Sequence, residues 1–152
     1  TAMTMLSAGV KENVLPGRAE AVVNFRILPG DTQESVLAAV KRIVADEAIV
    51  VTPLGTGFDP SRLSTSGSAS FKLIERTVRE VFPDAIVAPG LMLAASDARH
   101  FDGISDASYR FMPIRFDSAD LQRPHGTDER IAVDQLVDMV RFYHRLLSQA
   151  AQ

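Results

Sequence analysis

The chain has 152 residues, 46% of them hydrophobic and 23% charged, with 16 Lys and Arg set against 19 Asp and Glu. This is the make-up of one ordinary globular domain or two small ones, so disorder and fibres are excluded, and a net charge of −3 with both signs interspersed argues against nucleic acid as a partner. Cysteine is absent, which rules out Cys nucleophiles, thiolate zinc sites and redox motifs, and a chain of this length is expected to bury roughly 70% of its unfolded surface without disulfides.

Residues 3–6, 11–17 and 19–27 are strand-like around a Gly/Pro-containing turn and predict an antiparallel pair. Pro29-Gly30 ends this run, and Asp31-Thr32-Gln33-Glu34 has the form of a capping box with Asp31 at the N-cap and Glu34 three residues on. The helix behind it carries Val36, Leu37, Val40, Ile43 and Val44 at one-sided spacing, and the β-rich residues 48–52 are expected to return as a strand, giving ββαβ. Both periodicities vanish over residues 53–68, rich in Pro, Gly, Ser and Thr, which marks a linker between residues 1–52 and 69–152. Its Gly55-Thr56-Gly57 is no dinucleotide fingerprint, because no helix opens behind it.

Beyond the linker, Phe71, Ile74, Val78, Val81 and Phe82 predict a helix stopped by Pro83. Residues 86–88 and 108–112 are expected as short strands, residues 96–101 as a short helix, and residues 133–147 as a long helix through Leu136, Val137, Val140 and Leu147. The second part is therefore αβαβα, and the fold class is α/β, with an α+β first part. The longest apolar run, residues 85–95, is broken by Pro89 and Gly90 and falls short of the ~18 residues that span a bilayer, so no membrane helix is expected. The first residues show no basic and apolar export signal and open inside a strand-like run, which leaves the compartment undecided.

Of the three histidines, His144 lies in the last helix between Tyr143 and Arg145 and reads as a solvated ring, while His100 follows Arg99 near a helix start. His125 stands in Arg123-Pro124-His125-Gly126-Thr127-Asp128-Glu129-Arg130, a loop that suits a ligand aimed at a metal or substrate and equally a plain structural histidine. No His-x-x-x-His pair accompanies it, and zinc normally takes at least three protein ligands. A triad of Ser96, His125 and Asp97 or Asp117 lacks the Gly-x-Ser-x-Gly elbow that would support it.

Four segments taken in order carry a more specific signal: Gly9-Val10-Lys11-Glu12-Asn13-Val14-Leu15-Pro16, Asn24-Phe25-Arg26-Ile27-Leu28-Pro29-Gly30-Asp31-Thr32, Ser96-Asp97-Ala98-Arg99-His100-Phe101 and His125-Gly126-Thr127-Asp128-Glu129-Arg130-Ile131. Together they resemble the carboxypeptidase S, aminoacylase and desuccinylase family of zinc peptidases, nearest the carboxypeptidase S branch that includes enzymes acting on N-fatty-acyl amino acids. The resemblance implies a catalytic domain with two zinc ions, interrupted by a lid of four strands and two helices that mediates dimerisation. Residues 1–52 would be the later part of the lid and residues 69–152 the end of the catalytic domain. The general base and every metal ligand but one would lie outside the chain, which is then expected to be inert alone and to self-associate as a homodimer through its incomplete lid.

Carried over residue by residue, the resemblance implies that Asn13 and Arg26 bind a substrate carboxylate, that Ser96 lines the substrate pocket, and that His125 is a zinc ligand. An Asn amide and a bidentate Arg suit a free carboxylate. The implied substrate is a small peptide or an N-acyl amino acid cleaved at the amide beside that carboxylate. Two departures from the family pattern stand out: Ala94-Ala95 precedes Ser96 where Gly-Gly is usual, and Asp128 replaces Asn. Two rivals remain open, a lid-type dimerisation module without catalysis and an aminoacylase or deacetylase for short acyl groups.

Overall fold

In the computed structural model, which describes residues 1–55 and 57–152, the chain divides into two units, Thr1–Arg62 and Leu63–Gln152. Thr56, within the expected linker and the Gly55-Thr56-Gly57 triplet, lies outside the described residues.

The first unit opens with strands β1 (Ala2–Ala8) and β2 (Ala19–Asn24), paired antiparallel from Ala2 opposite Asn24 to Ala8 opposite Ala19. The register slips between Met3 and Met5, leaving Thr4 as the extra residue of a bulge, and its hydroxyl donates to the Val22 carbonyl at 3.3 Å. Residues 11–17 form the turn rather than a strand, with Gly9 at φ 74 leaving β1. The Leu28-Pro29-Gly30-Asp31 turn closes with Asp31 N–H on Leu28 O at 3.1 Å, and its third position needs the left-handed φ of 103 that Gly30 supplies.

Helix α1 (Gln33–Val44) then starts one residue later than the sequence suggests. Its N-cap is Thr32, whose Oγ1 accepts from Ser35 N at 3.1 Å while Ser35 Oγ accepts from Thr32 N at 3.0 Å, so the reciprocal box uses Ser35 and not Glu34. Asp31 is occupied as the last residue of the turn, and its carboxylate accepts from Ser35 Oγ at 3.2 Å. A further amide at the helix start, Gln33 N, is satisfied by Asp59 Oδ1 at 2.8 Å. Val36, Leu37, Val40 and Val44 are half-buried as their spacing predicts, but Ile43 is exposed and no α1 residue is fully buried.

In the second unit, α2 (Ala69–Val81) lies against α3 (Val133–Ala150). Ser68 caps α2 by accepting from Phe71 N at 3.0 Å, and Tyr109 ties that cap down by bonding Ser68 Oγ at 2.5 Å and the Thr65 carbonyl at 2.6 Å. Val78, Phe82 and Phe142 form the buried apolar core, with Ile74, Val81, Ala85, Val87 and Leu146 packed around it. Phe142 also stacks obliquely on Phe111 at 5.3 Å between ring centres. The apolar stripe expected for α3 is not the one buried: Leu136, Val137, Val140 and Leu147 are exposed, because the helix has two apolar faces and α2 covers the face with Phe142 and Leu146.

The mixed α/β class holds in its α+β form, but three expected strands do not form. Residues 48–52, 86–88 and 108–112 carry no ladder among the described residues, where β1 and β2 make the sheet. A strand exists only where a neighbour takes up its backbone hydrogen bonds, and local β propensity cannot supply one. The expected 70% burial fails as well. The accessible surface is 12441 Å², whereas a folded monomer of this mass would expose about 7,500 Å², so roughly half the unfolded surface is buried. Among the exposed side chains are Met3, Met5, Leu6, Leu15 and Ile86.

Candidate functional site

Asn13 and Arg26 belong to the first unit. Asn13 is exposed in the hairpin turn that Val14 N closes on Lys11 O at 3.4 Å, and Arg26 is exposed two residues past the end of β2. Both residues are thus exposed to solvent.

Ser96 and His125 belong to the second unit. Ser96 is the N-cap of a five-residue 3-10 helix, Asp97–Phe101, but its side chain makes no cap bond. Instead its Oγ accepts from Arg110 Nε at 2.9 Å. Arg110 is a residue that sequence reasoning missed, since no periodicity links positions fourteen apart in irregular chain.

His125 is exposed on a turn just after the short 3-10 helix Asp120–Gln122, and its backbone takes the left-handed φ of 64. That conformation is uncommon outside glycine. The turn is braced on both sides. Upstream, Asp117 Oδ1 accepts from Ala119 N at 2.8 Å and Asp120 N at 3.0 Å, and Asp120 pairs with Arg123. Gly126 N donates to Arg123 O at 2.8 Å, and a Cβ on Gly126 would lie 3.0 Å from that same oxygen, so a larger residue would be crowded there. Downstream, Glu129 Oε2 accepts from His125 N at 3.2 Å. Asp128, the residue replacing Asn, is engaged by Arg130 at 2.8 Å, which offsets the extra negative charge.

An exposed imidazole on such a turn has the chemistry of one zinc ligand. Among the described residues no group of three or more His, Asp, Glu or Cys converges. A shallow hollow lined by Lys72, Glu75, Arg76, Arg79 and Glu80 is a charged surface dent on α2 and includes none of the four site residues.

Comparison with known proteins matches residues 1–52 to a peptidase dimerisation domain. A probable carboxypeptidase S-like 2 of Dictyostelium discoideum is 37% identical over 147 residues, covering 97% of this chain and 28% of that protein. The N-fatty-acyl-amino acid synthase/hydrolase PM20D1 of Homo sapiens is 40% identical over 153 residues, covering 99% of this chain and 30% of that protein. The chain belongs to the M20 peptidase family. A second Dictyostelium discoideum relative in this family, probable carboxypeptidase S-like 1, is 32% identical over 149 residues. The chain spans less than a third of the length of these curated relatives. No solved structure matches it.

Proposed function

We propose that residues 1–52 are the later part of a lid and dimerisation domain, and residues 69–152 the end of the catalytic domain, of a zinc-dependent hydrolase. It would cleave the amide bond beside a free carboxylate, in a peptide or an N-acyl amino acid. The observation that carries this reading is His125: an exposed imidazole held at a strained backbone angle by bonds on both sides, in a chain similar along nearly its whole length to carboxypeptidase-like and N-fatty-acyl-amino acid hydrolase relatives.

In this reading Asn13 and Arg26 hold the substrate carboxylate, Ser96 borders the substrate, and His125 contributes one of the metal's ligands. Bound zinc supplies Lewis-acid polarisation of the scissile carbonyl. The described residues contribute one ligand and no converging acid cluster, so the 152-residue chain alone is expected to hydrolyse nothing. The dimerisation match over residues 1–52 and the exposed two-stranded sheet support a homodimer through the first unit.

The test uses the full-length protein and measures zinc content and turnover of an N-acyl amino acid together. His125→Ala should lose turnover and bound metal while keeping its fold, because an exposed turn residue contributes little packing. Arg26→Ala should raise KM by roughly tenfold or more and leave zinc content unchanged, as expected for a lost charge-assisted bond to a carboxylate. Normal turnover and full zinc occupancy in His125→Ala sink the reading.

A further inference from the structure

We propose that Glu129 is a positioning residue for His125, acting through the hydrogen bond between its carboxylate and the His125 backbone N–H. The proposal rests on the reading of His125 as a metal ligand and adds to it the device that aims the ring.

A side chain at a left-handed backbone angle costs free energy relative to glycine, and such a residue persists where its surroundings over-determine it. At φ 64, His125 meets that condition from two directions. On one side Gly126 N bonds the Arg123 carbonyl at 2.8 Å, and a Cβ at 126 would lie a tight 3.0 Å from the same oxygen. On the other side Glu129 Oε2 accepts from His125 N at 3.2 Å. The ring gains no core packing in return, since His125 is exposed. A turn selected for stability alone would place glycine at 125. The turn instead keeps a histidine there and spends a carboxylate on fixing its amide.

Glu129 is suited to this task because its neighbours leave its carboxylate with this amide. Asp128 is engaged by Arg130 at 2.8 Å, and Arg123 is paired with Asp120 on the far side of the turn. An anionic acceptor on a backbone N–H makes a stronger bond than a neutral one. It holds the φ of residue 125, and with it the direction of the Cα–Cβ bond, without touching the imidazole. Groups of this kind, one step removed from a metal, commonly alter metal affinity roughly tenfold to a hundredfold when removed.

The experiment compares Glu129→Ala, Glu129→Gln and His125→Ala in the full-length protein. It measures zinc retained against a competing chelator and the visible absorption of the cobalt-substituted protein. Glu129→Ala should weaken zinc retention roughly tenfold or more and shift the cobalt bands, with far-ultraviolet circular dichroism unchanged. Glu129→Gln, which keeps an acceptor oxygen at the same reach, should restore retention to within about threefold of the parent and return the cobalt bands. Unaltered retention and spectrum in Glu129→Ala, alongside metal loss in His125→Ala, would overturn the proposal and spare the ligand reading. Retained metal in His125→Ala overturns the ligand reading itself. A Glu129→Gln variant as damaged as Glu129→Ala also overturns the proposal, because charge rather than the amide bond would then hold the site.

Discussion

The two units solve the same problem with unequal means. Leu63–Gln152 buries Val78, Phe82 and Phe142 between two helices and ties those helices together at the surface, where Glu80 Oε2 accepts from both Arg145 Nε at 2.7 Å and Gln149 Nε2 at 2.8 Å. Thr1–Arg62 has a two-stranded sheet and one capped helix, and none of its described residues is fully buried. A lone hairpin is marginal in water, and three or more strands or a packed helix are needed before a sheet stands by itself. Order in the first unit is therefore local, resting on turns and caps. In the second it is tertiary. A dimerisation domain that leaves Met3, Met5, Leu6 and Ile43 exposed has the apolar surface that association would cover.

Truncating the shared core is the sharpest way to break the contrast. Phe142 is 1% exposed and touches both helices' apolar residues as well as Phe111. Phe142→Ala should cost the second unit about 3–5 kcal/mol and lower its unfolding midpoint in urea, while amide signals of the 2–24 hairpin keep their shifts. Equal losses in both units would mean that the division at residue 62 is not an energetic one.

Cap deletions give a smaller, paired comparison. Thr32→Ala removes the reciprocal box of α1 and should cost about 1 kcal/mol, felt as fraying of residues 33–36. Ser68→Ala removes the α2 cap and also the oxygen that Tyr109 bonds, so it should cost more, about 1–2 kcal/mol, and loosen the segment around Tyr109. Hydrogen exchange at single amides separates the two outcomes. Local fraying after Ser68→Ala with no change near Tyr109 would show that the second unit's caps are as local as the first unit's.

Helices and the antiparallel hairpin of β1 and β2 were legible in the sequence, and pairing with more distant segments was not. The α1 and α2 stripes could be read because an i, i+3, i+4 pattern is written within one segment, and the α1 cap was misplaced by one residue because Asp31 and Thr32 are both good caps until the Pro29-Gly30 turn claims Asp31. The α3 helix was legible but its buried face was not, since which of two apolar stripes is covered depends on where α2 lies. Residues 48–52, 86–88 and 108–112 failed as strands for the same reason, a partner being information outside the segment. At the site, the Pro124-His125-Gly126 turn announced itself, whereas the Ser96 to Arg110 and His125 to Glu129 bonds depend on loop geometry that no motif encodes.

Acid gives the smallest effect and confines it to one unit. Glu80 is held below its ordinary value by the Arg145 hydrogen bond, with Gln149 adding to this, and Asp84 is held below its own by a two-pronged bond from Arg115 at 2.7 and 2.9 Å. A carboxylate whose folded value is lowered binds its proton more readily in the unfolded chain. Its contribution is therefore complete above the unfolded value, 4.5 for Glu80 and 3.8 for Asp84, and is lost as pH falls through the lower folded value. Both groups are solvent-exposed and screened, so the slope should be shallow and should flatten further at high salt. Urea midpoints of the second unit measured from neutral pH down past 4 should fall on acidification, Glu80→Gln removing the earlier part of the fall and Asp84→Asn the later part. The first unit holds its hairpin together by a backbone ladder. Its hairpin signals should keep their intensity through the range in which the second unit begins to weaken, and loss of both together would erase the distinction between tertiary and local order.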